Sequence, residues 1–560
     1  MLPRWRYSVR TELTAEHGSD DRPEKEEVRD HDYVNFAIEA FGTAPALATA
    51  TELVSAAFVY GRLTEAQPAA EWLLKHRESA KPDVVLASEH ILTVAEGKSS
   101  LVNELPIRKE AYSIIATNRI RLREYPRNVV RWLDTSRAYA VLGLGSQAWQ
   151  AMRTGLALAP NHRVVQRRGA RLLVHLDRAD EALSQVLSNP LLRSDPWLMA
   201  LEITLSQICE KEPRSYRVGH SFVEQSAASP RHLTELAGAL GTYHFMQGEL
   251  KRARKLLRVA QQAPTENTLA QIEWLAHSDT SLKTNWPASF SSRFAAEANF
   301  WQSLRMSRWS DALTYAQAWQ QDESFSGRPA ILGSYVALSL LGDAELAAKI
   351  AEEGLIADPN DPMLRNNYAV ALAYAGWPKA AYVEFAKIQI GQKGGLPTHV
   401  RAATAGLIAF GLGDAELGRS LYRRAMEVAD SRTRPIVLSH WIAAETSCDL
   451  GRAELLQKQL RDEESDIKDP VYKEVVARAL RPLVDVANSG PPSTRLDEHR
   501  TIQERNFPEG PRDLNLMLSA KTLNLLRSSG MEVRGEPPNP SPESTTRSWP
   551  IPKDSPIGGH

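Results

Sequence analysis

Apolar residues recur every three or four positions through most of the chain, which is the spacing of one face of an α-helix. The pattern begins at Tyr33 with YVNFAIEAF and continues in ALATATELVSAAFVYGRL and AAEWLLKHRES. Short stretches rich in glycine, proline, asparagine and serine interrupt it, and such residues favour turns. The sequence therefore predicts an all-α protein made of short helices joined by turns.

The clearest pattern runs from Val129 to Pro160 and reads VVRWLDTSRAYAVLGLGSQAWQAMRTGLALAP. Trp132, Tyr139 and Ala148 fall where a two-helix hairpin repeat of about 34 residues needs them, and Pro160 closes the unit. This stretch predicts one complete helical hairpin.

The next stretch, residues 163–190, repeats the same shape. Ala170 lies where its first helix should pack most closely, and Ala182 has the same place in the second helix. Both need small side chains because neighbouring helices cross there at short range.

Glycines mark the predicted turns between paired helices further along the chain. Gly248 supplies the positive φ that ends a helix. Gly342, Gly376 and Gly413 follow at spacings of 34 and 37 residues. Spacings so close to one period indicate a repeat array rather than unrelated helices.

These residues resemble the tetratricopeptide-repeat family. The matches beyond the first hairpin are Gly241, Gly248, Ala253, Ala260, Pro264, Ala369, Gly376, Ala381, Phe385, Gly406, Gly413, Tyr422 and Ala425. Two positions depart from the family pattern: Ser136 stands where glycine or alanine is usual, and Gly418 stands where alanine is usual. The resemblance implies an α-solenoid of stacked antiparallel helix hairpins, wound into a right-handed superhelix. In that fold the first helices of the pairs line a concave groove that holds an extended peptide or a partner helix.

The pattern divides the chain into six segments. They are a flexible charged arm (1–32), divergent helical hairpins (33–128), an N-terminal repeat array (129–277), a turn-rich joint (278–292), a C-terminal array with capping helices (293–487) and a proline-rich tail with a short helix near 513–528 (488–560). The tail is too rich in proline to fold alone. Whether it docks into the groove is left open.

Composition narrows the function classes. The net charge of -1 gives no global field that would draw the protein onto nucleic acid or an anionic membrane. Cys209 and Cys448 lie far apart in sequence, so they predict neither a disulfide framework nor a zinc site. Both are expected to be core thiols, and no apolar run is long enough for a signal peptide or a membrane span. These observations predict a cytoplasmic protein.

Catalytic and nucleotide-binding motifs are missing from the sequence. GLGS at Gly143 and GLGD at Gly411 follow no predicted strand and lack the spacing of a phosphate loop. No HExxH or GxSxG motif occurs. We therefore expect no enzymatic activity, no cofactor and no metal site, although a divergent catalytic site would escape motif analysis.

Basic residues cluster on the predicted inner face of two successive hairpins. They are Arg137, Arg167, Arg168, Arg171 and His175. Guanidinium groups donate paired hydrogen bonds to carboxylates and phosphates, so this wall would suit an acidic peptide or ligand. The alternative is a solvated face or one paired within the chain, with Asp134, Asp177 and Asp180 as candidate partners.

Asn366 and Asn367 begin the inner helix of a later hairpin. In the tetratricopeptide-repeat family, asparagines on this face bind peptide backbones or C-terminal carboxylates, together with cations of adjacent repeats. Here the neighbouring inner positions are apolar: Leu332, Val336, Ala403 and Leu407. The charged clamp of chaperone-binding members is therefore missing. A helix-capping role for one asparagine is the alternative.

Tryptophans cluster around the predicted joint. They are Trp274, Trp286, Trp301, Trp309 and Trp319. They could fill a widened core between repeats, or they could anchor a partner, since interfaces favour tryptophan.

The sequence thus favours a non-enzymatic scaffold or adaptor that binds a protein or peptide partner, an acidic one being a candidate, in the solenoid groove. The alternative is a regulatory protein in which a small acidic ligand or peptide changes the conformation of the superhelix. Partner identity and oligomeric state stay open.

Overall fold

The computed structural model describes residues 2, 4–7, 27–95, 106–225, 229–282, 295–388, 395–463, 467 and 469–483. Within these ranges 25 α-helices follow one another and no strand occurs. The predicted all-α class is therefore confirmed.

The chain forms two compact units. Unit 1 comprises Met1–Gly333 and Glu352–Pro359, and unit 2 comprises Ser334–Ala351 and Asn360–His560. The predicted segment boundaries, including the joint at 278–292, stay predictions, and residues 283–292 of that joint lie outside the described residues. The tail predicted over 488–560 lies outside them as well.

The helices of unit 1 are α1 Glu27–Thr43, α2 Leu47–Tyr60, α3 Gln67–Lys75, α4 Pro82–Ala95, α5 Pro106–Glu124, α6 Val129–Val141, α7 Gly145–Leu158, α8 Arg163–His175, α9 Ala179–Leu187, α10 Pro196–Ile208, α11 Tyr216–Gln225, α12 Pro230–Met246, α13 Leu250–Ala260, α14 Glu266–Ser278, α15 Ala296–Arg305 and α16 Trp309–Asp322. The unit boundary crosses α17 Arg328–Tyr335 and α18 Ala344–Ala357. Unit 2 contains α19 Pro362–Tyr374, α20 Pro378–Ala386, α21 Thr398–Gly411, α22 Ala415–Val428, α23 Arg434–Thr446, α24 Leu450–Glu463 and α25 Pro470–Ala479.

Helices pack in sequential pairs, and the pairs stack. In unit 1, α6 packs on α7, α8 on α9 and α12 on α13, and the first helices α6, α8, α10, α12 and α14 pack one on the next. In unit 2 the pairs α19–α20, α21–α22 and α23–α24 stack in the same way through α19, α21 and α23. Short connections make each pair antiparallel. This is the stacked-hairpin arrangement that the sequence predicts.

Positive φ angles mark the turns inside the pairs. The glycines with positive φ are Gly61, Gly143, Gly248, Gly342, Gly376 and Gly413, which confirms the predicted turn glycines. Asp177, Glu210 and Ser307 adopt the same conformation in three other turns, at φ 57°, 54° and 56°. Turn glycines alone therefore do not mark these three turns, although Ala170 and Ala182 still predict the hairpin that turns at Asp177.

Close packing between paired helices accounts for the two departures from the repeat pattern. Ala148, Ala170 and Ala182 are fully buried, as expected for positions of close helix contact. Ser136 is fully buried too, and its hydroxyl donates a hydrogen bond to the Ala148 carbonyl at 2.7 Å. A Cβ atom on Gly418 would lie 2.4 Å from the Phe410 ring, so only glycine fits there.

One sequence expectation needs correction. Cys448 is exposed and Cys209 half-buried, so neither is a core thiol. Within the arm predicted over 1–32, Leu2 and Trp5 are buried in unit 1 and α1 begins at Glu27, and the flexibility of that arm stays a prediction. Apolar and aromatic side chains in residues 2–7 account for that burial.

Three of the clustered tryptophans pack in the core: Trp274, Trp301 and Trp319 are buried. Trp309 is half-buried, and Trp286 lies outside the described residues.

No helix among the described residues has both the length and the apolar character needed to cross a lipid bilayer.

Candidate functional site

A short irregular segment, residues 4–7, lies against the inner face of unit 1. Arg137 of α6 binds the main chain of this segment, because its Nε donates a hydrogen bond to the Trp5 carbonyl at 2.8 Å. The Nη2 of Arg137 donates a second hydrogen bond to the Asp322 carbonyl at 2.9 Å. The same guanidinium lies 4.0 Å from the centroid of the Tyr7 ring. Burial raises the pKa of Tyr7 to about 12, so this phenol stays neutral. The predicted site residue Arg137, only 4% exposed, thus binds a peptide backbone within its own chain.

Arginine side chains of the segment meet carboxylates from three helices. Arg4 forms ion pairs with Glu297 of α15 at 3.0 Å and with Asp322 at the end of α16 at 3.3 Å. Arg6 pairs with Asp322 at 2.5 Å and also with Glu266 at the start of α14. Burial alone would lower the pKa of Arg4, but the surrounding carboxylates raise it overall. The segment is therefore fixed by charge as well as by its backbone.

Phe325, which follows α16 and is fully buried, is the aromatic centre of the site. The ring centroids of Trp5 and His175 lie 5.1 Å and 6.0 Å from it, both edge-on. The guanidinium carbons of Arg171 and Arg137 lie 5.3 Å and 5.8 Å from the same centroid. Two of the predicted arginines and the predicted histidine therefore come together around one ring.

Glu323 is the buried counter-charge of this cluster. Its carboxylate lies 3.4 Å from Arg171 and 3.8 Å from Arg4, and it accepts a hydrogen bond from the Trp319 indole at 2.9 Å. Burial raises the pKa of Glu323, but the two arginines outweigh that effect and lower it below its ordinary value. Burial lowers the pKa of Arg171, and the negative charge of Glu323 opposes that lowering.

Arg167 lies one helical turn from Arg171 and is also engaged within the chain. Its guanidinium carbon lies 4.4 Å from the centroid of the Trp197 ring, and Nη2 is 3.3 Å from Glu235 of α12. The other oxygen of Glu235 accepts a hydrogen bond from Thr265 at 2.6 Å. Arg167 thus ties α8 to α10 and α12.

Arg168 occupies a different environment, a groove of about 580 Å³ beside the bound segment. The charged side chains along it are Arg4, Arg163, Arg167, Arg168, Arg231, Glu235 and Glu266. Trp197 lies among them, and Arg231 is exposed. The open part of the inner face is thus predominantly basic.

His175 is half-buried at the end of α8. Burial lowers its pKa to about 4, and the nearby Arg171 acts in the same direction. The imidazole is therefore neutral at physiological pH and packs as an aromatic ring.

Arg137, Arg171 and His175 thus come together around Phe325, whereas Arg167 and Arg168 line the neighbouring groove. The ion-pair partners found for the wall residues are distant in sequence: Glu235 for Arg167 and Glu323 for Arg171. Sequence reasoning also missed Trp5, Tyr7, Trp197 and Phe325. The alternation of arginine and aromatic residues at 4–7 was the local pattern that pointed to Trp5 and Tyr7. Whether the predicted residues contact a partner stays a prediction.

The inner face of unit 2 carries a cleft of a different kind. Asn366 of α19 is buried and accepts a hydrogen bond from the Thr404 hydroxyl of α21 at 2.9 Å. Asn367 donates to the Ser334 hydroxyl at 3.2 Å. The helix cap of α19 is Asp361, whose side chain accepts from the Leu364 amide at 2.7 Å, so the capping role considered for an asparagine is wrong.

Apolar side chains complete this cleft, which has a volume of about 70 Å³. They include the predicted neighbours Ala403 and Leu407, together with Val370, Val400, Ile436 and Val437. His440 also lines it, with Nδ1 2.7 Å from the Tyr374 hydroxyl, and burial lowers the pKa of His440 to about 4. This cleft therefore offers amide, hydroxyl and neutral imidazole groups without a net charge.

The described helix pairs define an all-α array of stacked hairpins, and no cluster of three or more potential metal ligands occurs in that part of the chain. Among solved structures, the chain is similar to the APC/C hetero-tetramer Cut9-Hcn1, with 11% identity over 81% of this chain and 94% of that chain and a TM-score of 0.33. It is also similar to yeast Tom70, with 12% identity over 85% of this chain and 100% of that chain and a TM-score of 0.28.

At TM-scores this low neither likeness carries an argument, so the fold class rests on the helix pairs themselves. No protein-family model and no curated protein matches the sequence. The tetratricopeptide-repeat family therefore remains a resemblance, carried by the turn positions and the small residues between paired helices.

Proposed function

We propose that the chain is a non-enzymatic protein–protein interaction scaffold that holds an extended peptide or partner protein on the inner face of its first-of-pair helices. One observation carries the proposal: residues 4–7, which belong to no helix, are bound on that face of unit 1 through main chain and side chains. A face that holds one non-helical segment has the donors, charges and pockets that peptide recognition requires.

The groove of about 580 Å³ beside that segment is the proposed place for the partner. Arg163, Arg168 and Arg231 give it positive charge, and Trp197 supplies an aromatic surface. Such a surface suits a peptide that carries carboxylates, since a guanidinium binds a carboxylate through two parallel hydrogen bonds. In this proposal the buried Arg137, Arg167 and Arg171 hold the shape of the face, while Arg168 meets the partner.

The test is affinity capture from the native cell, with the full chain as bait and partners identified by mass spectrometry. The informative variant is Arg168→Glu combined with Arg231→Glu. It reverses charge in the groove without touching the ion pairs of Arg167 and Arg171. We expect it to weaken capture by about tenfold or more, because close charge pairs at interfaces contribute strongly to binding. Its thermal unfolding is measured beside that of the native chain, and a loss of capture counts only if the variant remains folded.

The matched control is Arg217→Glu, which changes an exposed arginine of α11 that does not line the groove. Capture should survive in this control. An identical set of partners for the native chain and the groove variant would remove the groove from the proposal.

The cleft of unit 2 has a separate role in the proposal. With a volume of about 70 Å³ it has room for one side chain of a partner rather than for a whole peptide. Asn367 is half-buried beside it and would bind a main-chain amide of the peptide. Asn367→Ala should weaken capture of the same partner less than the groove variant does.

A ligand-sensing regulatory protein is the second candidate, and the volume of the groove favours it. About 580 Å³ falls in the range of small-molecule sites, about 300–1,000 Å³. A small acidic ligand that binds only the native state must raise the melting temperature. A panel of dicarboxylates, phosphates and acidic tripeptides that leaves the melting temperature unchanged would argue against this candidate.

A further inference from the structure

We infer that the part of unit 1 that holds residues 4–7 is an exchangeable receptor for an extended peptide of alternating arginine and aromatic residues. A partner protein that carries this pattern displaces residues 4–7. The inference rests on the proposed function and names the chemistry of a second class of partner. The receptor part adjoins the basic groove and shares Arg4 and Glu266 with it, but the groups that face the segment's arginines are carboxylates.

The receptor carboxylates come from three helices and converge on two cations. Glu266 of α14 and Asp322 of α16 face Arg6, while Glu297 of α15 and Asp322 face Arg4. The Arg4 side chain is 7% exposed and the Arg6 side chain 23%. Two arginines spaced by one residue fit this arrangement, because alternate side chains of an extended chain point to the same side.

The intervening residues of the segment meet a different surface. Trp5 is fully buried against Phe325, and Tyr7 lies under the Arg137 guanidinium. Arg137 binds the carbonyl of Trp5, a group that every peptide has. The receptor therefore selects arginine at two positions and aromatic rings at the two others, and it binds the backbone between them.

Departure of the segment leaves the receptor charged. Asp322 would then lose Arg4 and Arg6, and Glu266 would lose Arg6, while Glu297 would keep Arg328 and Glu323 would keep Arg171. Arg137 would lose one of its two carbonyl acceptors. A buried carboxylate that loses its counter-charges, as Asp322 would, is costly, so the site is filled by these residues or by a peptide of the same chemistry. An empty site is the least stable of the three states.

Tethering sets the concentration at which exchange occurs. Residues 8–26 connect the segment to α1, and a short tether gives an effective concentration on the order of millimolar. A free peptide therefore competes poorly with the native segment but binds well once that segment is weakened. Affinity for the free peptide should thus rise by at least about tenfold when the tethered segment is impaired.

The experiment uses the full chain and a fluorescent peptide with the sequence of residues 1–9, MLPRWRYSV. Fluorescence anisotropy measures its binding to the native chain and to the variant Arg4→Glu with Arg6→Glu, which sets anions against the receptor carboxylates. The expected result is binding to the variant at least about tenfold tighter than to the native chain. A peptide in which both arginines are glutamate should not bind either protein.

Absence of peptide binding to a variant that unfolds like the native chain would overturn the inference, and so would equal binding of the charge-reversed peptide. If the variant fails to fold, a protease site inserted between residues 8 and 26 of the native chain replaces it. After cleavage, excess labelled peptide should exchange into the site, and failure to exchange overturns the inference.

Sedimentation of the native chain tests whether the receptor instead holds residues 4–7 of a second copy of the chain. A dimer that dissociates when the peptide is added would assign the receptor to the segment of another copy and would overturn the assignment to a separate partner protein. Failure of the proposed function is distinguishable, because its capture test varies Arg168 and Arg231 and leaves residues 4–7 intact. Partner capture can survive when peptide exchange fails, and peptide exchange can survive when partner capture fails.

Discussion

The inner faces of the two units use opposite chemistry on the same helix arrangement. In unit 1 the face is dense with arginines and carboxylates that pair across helices and with residues 4–7. In unit 2 the face is neutral, with Asn366, Thr404 and His440 among apolar side chains. The comparison shows that the stacked-hairpin scaffold fixes where a groove lies but leaves the chemistry of that groove to a few residues.

The two faces should differ most in their response to the loss of one partner. Breaking a buried ion pair leaves an uncompensated charge and costs about 3–5 kcal/mol. Breaking a neutral buried hydrogen bond costs about 1–3 kcal/mol, the desolvation penalty of the orphaned group. Single substitutions on each face therefore measure how far the difference in chemistry becomes a difference in stability.

The largest effect is expected for Glu323→Gln in unit 1. The change keeps the shape of the side chain but leaves Arg171 and Arg4 short of a buried counter-charge. We expect the free energy of unfolding in urea to fall by about 3–5 kcal/mol. The matched control is Glu416→Gln in unit 2. Glu416 forms an ion pair with Arg419, and the Glu416 side chain is 79% exposed. That change should cost at most about 1 kcal/mol. Equal losses in the two variants would refute the contrast.

A smaller loss is expected for Asn366→Ala in unit 2. The Thr404 hydroxyl then loses its acceptor at a buried position. Urea unfolding should show a loss of about 1–3 kcal/mol. Asn367→Ala is the matched variant, and its half-buried bond to Ser334 should matter less. If the Asn366 variant lost as much stability as the Glu323 variant, the neutral face would depend on its polar pairs as strongly as the charged face does.

An effect that appears only as the pH falls concerns His277 of α14, whose two buried ring nitrogens have no hydrogen-bond partner among the described residues. Burial lowers its pKa to about 4, and Arg305 adds to the shift. As the pH falls below the ordinary histidine pKa of about 6.5, the unfolded chain takes up a proton that the folded chain refuses. Stability due to this residue is therefore lost between about pH 6.5 and 4, by roughly 1.4 kcal/mol per pH unit.

His277→Leu should remove that contribution. The free energy of unfolding, measured from pH 7 to pH 5, should fall less steeply in the variant than in the native chain. His440 of unit 2, whose pKa burial also lowers to about 4, should keep its own part of the slope. Parallel slopes for the native chain and the variant would show that His277 takes up no extra proton on unfolding.

The repeat architecture could be predicted from the sequence because its determinants are local. Gly342, Gly376 and Gly413 end helices at spacings of 34 and 37 residues. Buried alanines mark the contacts within pairs. Hairpins that turn at Asp177, Glu210 or Ser307 carry no glycine mark, since these residues adopt the left-handed conformation without being glycine. The hairpin over 163–190 is still predicted from Ala170 and Ala182 rather than from its turn at Asp177.

The candidate site could be predicted only in part, because its partners are distant in sequence. The period placed Arg137 and Arg171 on one face, yet it could not show that Glu323 and Phe325 would meet them. Residues 4–7 were the larger omission. A short arginine-rich segment has no periodicity, so its place depends on a binding site that the sequence builds more than two hundred residues later.

The separation between Arg4 and Asp322, 318 positions along the chain, also sets an order of events during synthesis. Residues 4–7 are made first, whereas their site is complete only after Asp322 and Phe325 have been made. At a translation rate of about 5–20 residues per second, that interval lasts tens of seconds. Throughout it the segment has no site of its own, so the nascent chain presents its arginine and aromatic side chains to other proteins before it can bind them itself.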